Sequence, residues 1–393
     1  MNKNITIFAF YFDKMYFELT EEHKFIQKTA RDFAQNELLP GVIERDEKQY
    51  FPDELERRMG ELGFLGMMVH PDYGGGGMDA VSYVLAMEEV SKVDASASVM
   101  MSVNNSLVCW GLETYANEAQ KRKYLVPLAE GKMIGAFCLS EPEAGSDATS
   151  QRTIAEDKGD HYLLNGNKNW ITNGGRAGVY LVMAQTDRAK GHRGINCLIV
   201  EKGAKGFHVG KKENKLGIRG SDTHSLQFND VIVPKENRIG EDGFGFKFAM
   251  KTLDGGRIGI ASQALGIASG AFELALAYSQ VRKAFNQELY KHQSIAFKLA
   301  TMATEIDAAR LLCLKAARQK DLHQPYGQAA AMAKLYSSKI AQMVTTEAIQ
   351  IHGGYGYVKE YHVERLFRDA KITEIYEGTT EIQKMVIARN ILS

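Results

Sequence analysis

Residues 372–383, ITEIYEGTTEIQ, set a carboxylate, Glu377, directly before Gly378 and a run that reads as a fresh helix start. Thr380 followed three residues later by Gln383 has the spacing of a capping box leading into the apolar Ile382, Met385, Val386 and Ile387. Glu377 is therefore expected on a turn. Gly378 would let a ligand come close to the backbone there, which is how a general base is aimed at a bound substrate. A lone glutamate in such a place more often only complements the helix dipole, so the rest of the chain must decide.

Two further stretches carry groups that could meet a polar ligand. The run 137–147, FCLSEPEAGSD, is dense in short-range hydrogen-bonding groups: Ser140, Ser146, three acids, and backbone NH groups opened by Pro142 and Gly145. It suits a polar ring or a phosphate, and equally a well-bonded surface loop. Trp170, Ile171 and Thr172 at a strand end offer an aromatic face and a hydroxyl beside a planar cofactor, although a core tryptophan would read the same. The four glycines of HPDYGGGG at 70–77 lack a following GK[ST] and a preceding strand, and read as a connection, not a P-loop.

The elements that must position these groups follow from periodicity. The chain has 393 residues, 45% hydrophobic and 24% charged, enough for two or three domains with sizeable cores. Forty-eight basic and forty-eight acidic residues cancel, so no global field recruits nucleic acid or an anionic membrane, and a metabolite is the expected partner. Cys109, Cys138, Cys197 and Cys313 show no disulfide or zinc spacing, which points to a reducing compartment and no metal. No apolar run is read as approaching the ~20 residues of a membrane span.

Residues 1–14 read as an extension without presequence character, and translation is expected to begin, or to be able to begin, at Met15. A helical domain is expected over 15–131, opening with Thr20 as a cap and the helical spacing of Phe25, Ile26, Phe33 and Leu38. Short alternating runs over 132–240 predict a β domain, a barrel or sandwich, with Asn165-Gly166 as its strongest hairpin signal and another turn at 157–159. Amphipathic stripes then predict a helical bundle over 241–393. Ile258, Ala261, Leu265, Ala268, Phe272 and Ala275 form one; Leu299, Met302, Ile306, Ala309 and Cys313 form another; Ala333, Ile340, Val344 and Ile351 form a third.

Taken together and in order, these motifs resemble the acyl-CoA dehydrogenase family from about Met15 to the C-terminus. FCLSEPEAGSD is similar to that family's first signature and QIHGGYGY with RDAKITEIYEGTTEIQ to its second. SVNNSL at 102–107, KLGIRGSDT at 215–223 and AAMAKL at 330–335 are closest in character to its short-chain, butyryl-type members. Glu143 stands where the motif usually has glycine.

The resemblance implies a helical domain, a β domain and a helical bundle, with FAD held between the last two. It assigns FAD contacts to Phe137, Cys138, Leu139, Ser140, Gly145, Ser146, Trp170, Ile171, Thr172, Arg282, His292, Gln293, Gln350, Gly353, Gly354, Thr379 and Glu381. Arg282 can fork onto a pyrophosphate, and a helix start offers NH groups to an oxygen-rich ligand. Without the family, Arg282 would be a helix-end charge and His352 a core or surface histidine. For the thioester the resemblance points to Ser146, Asp254, Arg257 and Gly378, with Arg257 at the CoA nucleotide end; its structural alternative is a dipole or salt-bridge role near a helix start. Isovaleryl-type relatives carry the catalytic glutamate at the position of Gly256, which leaves Glu377 as the base here.

The implied reaction is α,β-dehydrogenation of a short-chain acyl-CoA, butyryl-CoA by preference, to a trans-2-enoyl-CoA, a step of fatty acid β-oxidation. Glu377 would take the pro-R α-proton while the β-hydride passes to flavin N5. Electron-transferring flavoprotein as acceptor and a homotetramer are implied likewise, in the bacterial cytoplasm or, in a eukaryote, the mitochondrial matrix. The rivals are an acyl-CoA oxidase, disfavoured by the lack of an added C-terminal domain, and a catalytically silent acyl-CoA-binding protein, which would have no chemical need for Glu377.

Overall fold

The computed structural model describes residues 18–392; the expectations for the extension and for Met15 lie outside the described residues. Helix α1 (Glu21–Phe33) starts where its chemistry demands. The Thr20 hydroxyl accepts from the His23 amide, and the His23 ring accepts from the Thr20 amide. Helices α2 (Ala80–Val93) and α3 (Ala95–Ser102) are buried nearly all round, and meet at Asp94, which caps α3 and pairs with the buried Arg45 at 3.0 Å. A π-helical stretch, Val103–Cys109, follows. Its buried Asn104 bonds Leu65 O and Leu128 O through the side-chain amide and accepts the Gly135 amide at 2.9 Å. The first helices thus fix the entry into the sheet.

That sheet is mixed and eight-stranded: β1 (Gly135–Cys138), β2 (Ile154–Asp157), β3 (His161–Thr172), β4 (Val179–Gln185), β5 (Ile195–Glu201), β6 (Phe207–Lys212), β7 (Thr223–Pro234) and β8 (Arg238–Ile239). The order is β6-β7-β3-β2-β4-β5-β8, with β1 parallel to β4. The turn expected at 157–159 joins β2 to β3. Asn165-Gly166 is not a hairpin turn. Strand β3 runs straight through it, and the register against β7 shifts between Leu164 and Gly166, a β-bulge. Gly166 takes φ +145°, and a Cβ there would stand 2.7 Å from Thr153 Cα, so glycine serves close strand approach and not chain reversal.

Beyond the sheet come α4 (Gly245–Val281), α5 (Gln293–Asp321), α6 (Gly327–His352), α7 (His362–Ala370) and α8 (Thr380–Leu392). The three expected stripes face the core: Ile258, Leu265, Met302, Cys313, Ile340 and Val344 are all buried. Helix α4 lies at the centre, against α6 and α2. Gly266 and Gly270 permit that approach, since a Cβ at either would come 2.4 Å from a carbonyl oxygen of α2, Glu88 or Lys92. The reading of no membrane-length apolar run needs amending, because α4 is long and apolar enough to cross a bilayer. Most of its apolar window is buried inside the protein, so the apolarity belongs to the core.

Candidate active site

Between the 3₁₀ turn Lys371–Glu374 and α8, the backbone turns through two left-handed residues, Glu377 (φ +51°) and Gly378 (φ +95°). Glycine adopts this freely, whereas a glutamate does so only where its surroundings impose it. Those surroundings are explicit. The buried Gln383 amide donates to Glu377 O (3.3 Å) and Gly378 O (2.8 Å), and the buried Lys334 ammonium donates to Gly378 O at 2.6 Å. The expected capping box at Thr380 is displaced by one residue. The Thr379 hydroxyl accepts from Ile382 N at 3.4 Å, while Thr380 Oγ1 turns back to Glu374 O, because Gln383 is engaged by the turn carbonyls.

Glu377 as a residue is half-buried, but its Oε2 is enclosed and has no hydrogen-bond partner among the described residues. Burial lifts its pKa to about 7, against the opposing charges of Lys334 and Arg257. Facing it across α4 is Gly256, where a Cβ would fall 2.0 Å from Glu377 Oε2 and 2.7 Å from Leu107 Cδ2. The positions 256 and 377 therefore share one space, and only one can carry the acid. Arg257 is not near a helix start: it lies within α4, buried, and ion-paired to Asp254 at 2.5 Å. An enclosed and already paired guanidinium stands as a charge beside Glu377.

The 137–146 segment leaves β1 with Phe137 half-buried, Cys138 fully buried, Leu139 and Ser140 half-buried, and Gly145 and Ser146 exposed. Burial pushes the Cys138 thiol up. The loop is pinned from below by a buried ion pair, Lys168–Glu141 at 2.7 Å. Lys168 also donates to Leu139 O (3.1 Å) and Gln151 Oε1 (3.2 Å), and Glu141 accepts from Thr153 N (3.1 Å). Asn169 N donates to Ser140 O at 2.9 Å, which ties the loop to the Trp170–Ile171–Thr172 end of β3. Trp170 is 63% exposed with φ +62°, its ring displayed and not buried, whereas Ile171 points inward. Glu143 pairs with Arg152 at 2.5 Å, which offsets the charge that distinguishes this loop.

Three of the remaining flavin candidates meet in a cleft. Arg282 ends α4, and with Gly353, Gly354, Tyr278, His352 and Tyr355 it lines a cleft of about 490 Å³. The Arg282 guanidinium lies over the Tyr355 ring, and no ion pair engages it among the described residues. Gly353 and Gly354 have open space around them. His292 precedes α5 as its N-cap, its ring bonded to Ala284 O at 3.0 Å; the exposed Gln293 begins that helix, and the exposed Gln350 lies in the last turn of α6. His352 is buried, stacked on Tyr278 at 4.2 Å, and burial lowers its pKa. Thr379 and the exposed Glu381 sit at the start of α8, where Glu381's own NH holds its carboxyl below the ordinary value. Of the flavin candidates, Arg282, Gly353 and Gly354 line the cleft; 137–146, 170–172, His292, Gln293, Gln350, Thr379 and Glu381 do not.

Lys334 and Lys168 carry no functional assignment in the sequence, Gln383 enters there only as a cap, and Glu141 only as a member of the 137–147 run. For Lys334 a signal existed: it interrupts the buried face of α6 between Ala330 and Ala341 with a charge. For Lys168 the alternation of β3 carried a weaker one.

Each of the three parts, helical, sheet and helical, matches a known domain family. The acyl-CoA dehydrogenase N-terminal domain family matches residues 20–132, the middle domain family 136–231 and the C-terminal domain family 243–392. The short-chain specific acyl-CoA dehydrogenase of Clostridium acetobutylicum is 52% identical, over 96% of this chain and 100% of its own. The butyryl-CoA dehydrogenase structure from Megasphaera elsdenii superposes with a TM-score of 0.95 at 50% identity, covering 96% of this chain and 100% of that one. A chain of the structure described as the electron transferring flavoprotein of Acidaminococcus fermentans gives the same TM-score, 0.95, at 49% identity, with 96% and 100% covered. The chain belongs to the acyl-CoA dehydrogenase family, and it is an acyl-CoA dehydrogenase by class.

Proposed function

We propose that the protein dehydrogenates a short-chain acyl-CoA, butyryl-CoA by preference, to the trans-2-enoyl-CoA with Glu377 as general base. The observation that carries this reading is the Glu377 carboxylate: enclosed, unpartnered at Oε2, and lifted to about 7, so that it exists as a base near neutral pH and gains little by staying ionised. A thioester α-proton is weakly acidic, so the site must also stabilise charge developing on the carbonyl oxygen. The Glu377 NH, on a turn whose two carbonyls are already tied back by Gln383 and Lys334, is left to polarise it.

The residues present fit FAD. An exposed tryptophan in strained backbone, an Arg282 without a carboxylate partner among the described residues, and open glycines at 353–354 are groups that a planar ring and a pyrophosphate would engage. Phe137, Cys138, Leu139, Ser140, Gly145, Ser146, Trp170, Ile171, Thr172, Arg282, His292, Gln293, Gln350, Gly353, Gly354, Thr379 and Glu381 would hold FAD. Bound FAD supplies the acceptor for the hydrogen leaving the β-carbon. Ser146, Asp254, Arg257 and Gly378 would hold the thioester. Electron-transferring flavoprotein as acceptor, a homotetramer, and a cytoplasmic or matrix setting complete the proposal, the first supported by the likeness to a chain of a flavoprotein structure.

The test is an anaerobic visible spectrum of the purified protein before and after butyryl-CoA, beside Glu377→Gln. Bleaching of an oxidised-flavin band in the wild type alone, with the variant still binding the ester, is expected. Absence of any flavin band after reconstitution with FAD would overturn the reading; bleaching by other acyl-CoAs but not butyryl-CoA would discard only the chain length.

A further inference from the structure

Lys334 is fully buried within α6, and no ion pair joins it to a carboxylate among the described residues. Its ammonium ends on a single backbone oxygen, Gly378 O, at 2.6 Å. A buried cation without a paired carboxylate is expensive, and an apolar side chain of the same length would serve the core better. The expense is placed directly beneath the turn that bears the acid.

We propose that Lys334 is the positioning residue of this turn: its ammonium pins the Gly378 carbonyl and so fixes the direction of the Glu377 carboxylate. Gln383 shares the task, bonding the carbonyls of both Glu377 and Gly378. Two consecutive peptide planes are thereby held, which sets the torsions of Gly378 between them and maintains the left-handed Glu377. Without the ammonium, the turn keeps one neutral donor, and Glu377 can relax out of the space opposite Gly256.

The same charge acts through space on the acid. The groups facing Glu377 are Arg257 with Asp254 from α4, Lys334 from α6, Tyr83 from α2 and Tyr376 on its own turn; Glu374 and Glu381 flank Lys334. Lys334 and Arg257 favour the ionised acid, and burial opposes them. Losing Lys334 leaves burial less opposed, so the acid holds its proton to higher pH.

This inference rests on Glu377 being the base, and the experiment separates the two. Lys334→Met keeps the length and removes donor and charge; Lys334→Gln keeps a donor without charge. Both are prepared with FAD, and flavin absorbance, thermal midpoint, kcat, KM for butyryl-CoA and the pH profile of kcat/KM are measured. For Lys334→Met the expected result is retained flavin, kcat down roughly 10- to 100-fold, KM within about 3-fold, and an acid limb raised by about one pH unit. Lys334→Gln should recover part of kcat while its limb stays raised. Wild-type kcat and limb in a folded, flavin-loaded Met variant would overturn the proposal. So would a loss confined to KM or to flavin retention, or failure of both variants to fold, since each assigns Lys334 to stability or binding alone. A wild type that never reduces flavin, or whose rate survives Glu377→Gln, removes the reading of the base itself and is recognised without any Lys334 variant.

Discussion

In the role proposed for it, the enclosed Glu377 carboxylate serves turnover at the expense of stability, and both can be measured. As the proposed base it works in its ionised form, so kcat/KM is expected to rise with pH through about 7 and to level above it. For stability the sign is opposite. The unfolded chain releases this proton near the ordinary glutamate value, whereas the folded chain keeps it to about 7. The folded state is therefore favoured below the unfolded pKa, and that advantage is lost as pH rises through the folded one. Glu377→Gln should melt higher than wild type at pH 8, by about 1–3 kcal/mol, with the gap closing near pH 5. Equal melting of the two at pH 8 would contradict the burial of the charge. Gly256→Ala should cut kcat by roughly 100-fold while flavin absorbance remains, because its Cβ falls on Glu377 Oε2 and displaces it.

At the scale of elements, the flavin-segment loop depends on one strand. Lys168 on β3 holds Glu141, Leu139 and Gln151, so β3 carries both the displayed Trp170 and the anchor of the loop beside it. Glu141→Gln leaves a buried ammonium without its counter-charge, and is expected to destabilise by about 3–5 kcal/mol. Urea midpoints and the flavin-to-protein ratio should fall together; a stable variant with unchanged flavin content would separate the loop from its anchor. The exposed Arg152–Glu143 pair should behave differently. Glu143→Gly is expected to shift stability by less than about 1 kcal/mol in the same titration.

For the whole molecule, two measurements follow from where side chains end up. All four cysteines are free and buried, and burial raises each thiol, Cys313 to about 12. A thiol reagent at neutral pH should find no fast-reacting cysteine in the native protein and four after denaturation, and a rapid native reaction would show local opening. The proposed homotetramer belongs to this scale too. Phe285 at 92% exposed and Tyr357 at 86% are apolar groups left uncovered on the helical bundle. Light scattering should give close to four times the 43.7 kDa chain. A monomer at micromolar concentration would remove the assembly from the proposal.

The helical, sheet and helical parts were legible because each rests on local periodicity, and Thr20 and the 157–159 turn rest on neighbours within a few residues. Asn165-Gly166 misled for the same reason. Locally it has the chemistry of a hairpin, and only the close passage of Thr153 and the pairing of β3 with β7 turn it into a bulge. The cap moved from Thr380 to Thr379 because Gln383 was claimed by the carbonyls of the Glu377 turn. By itself, then, the sequence determined the family motifs, the order of elements and Glu377 as the candidate acid. Tertiary structure decided that Trp170 is displayed, that Arg257 is enclosed, that position 256 must stay empty, and that Lys334 lies under the turn. Burial and charge pairing are properties of surfaces brought together from distant parts of the chain, and no local pattern encodes them.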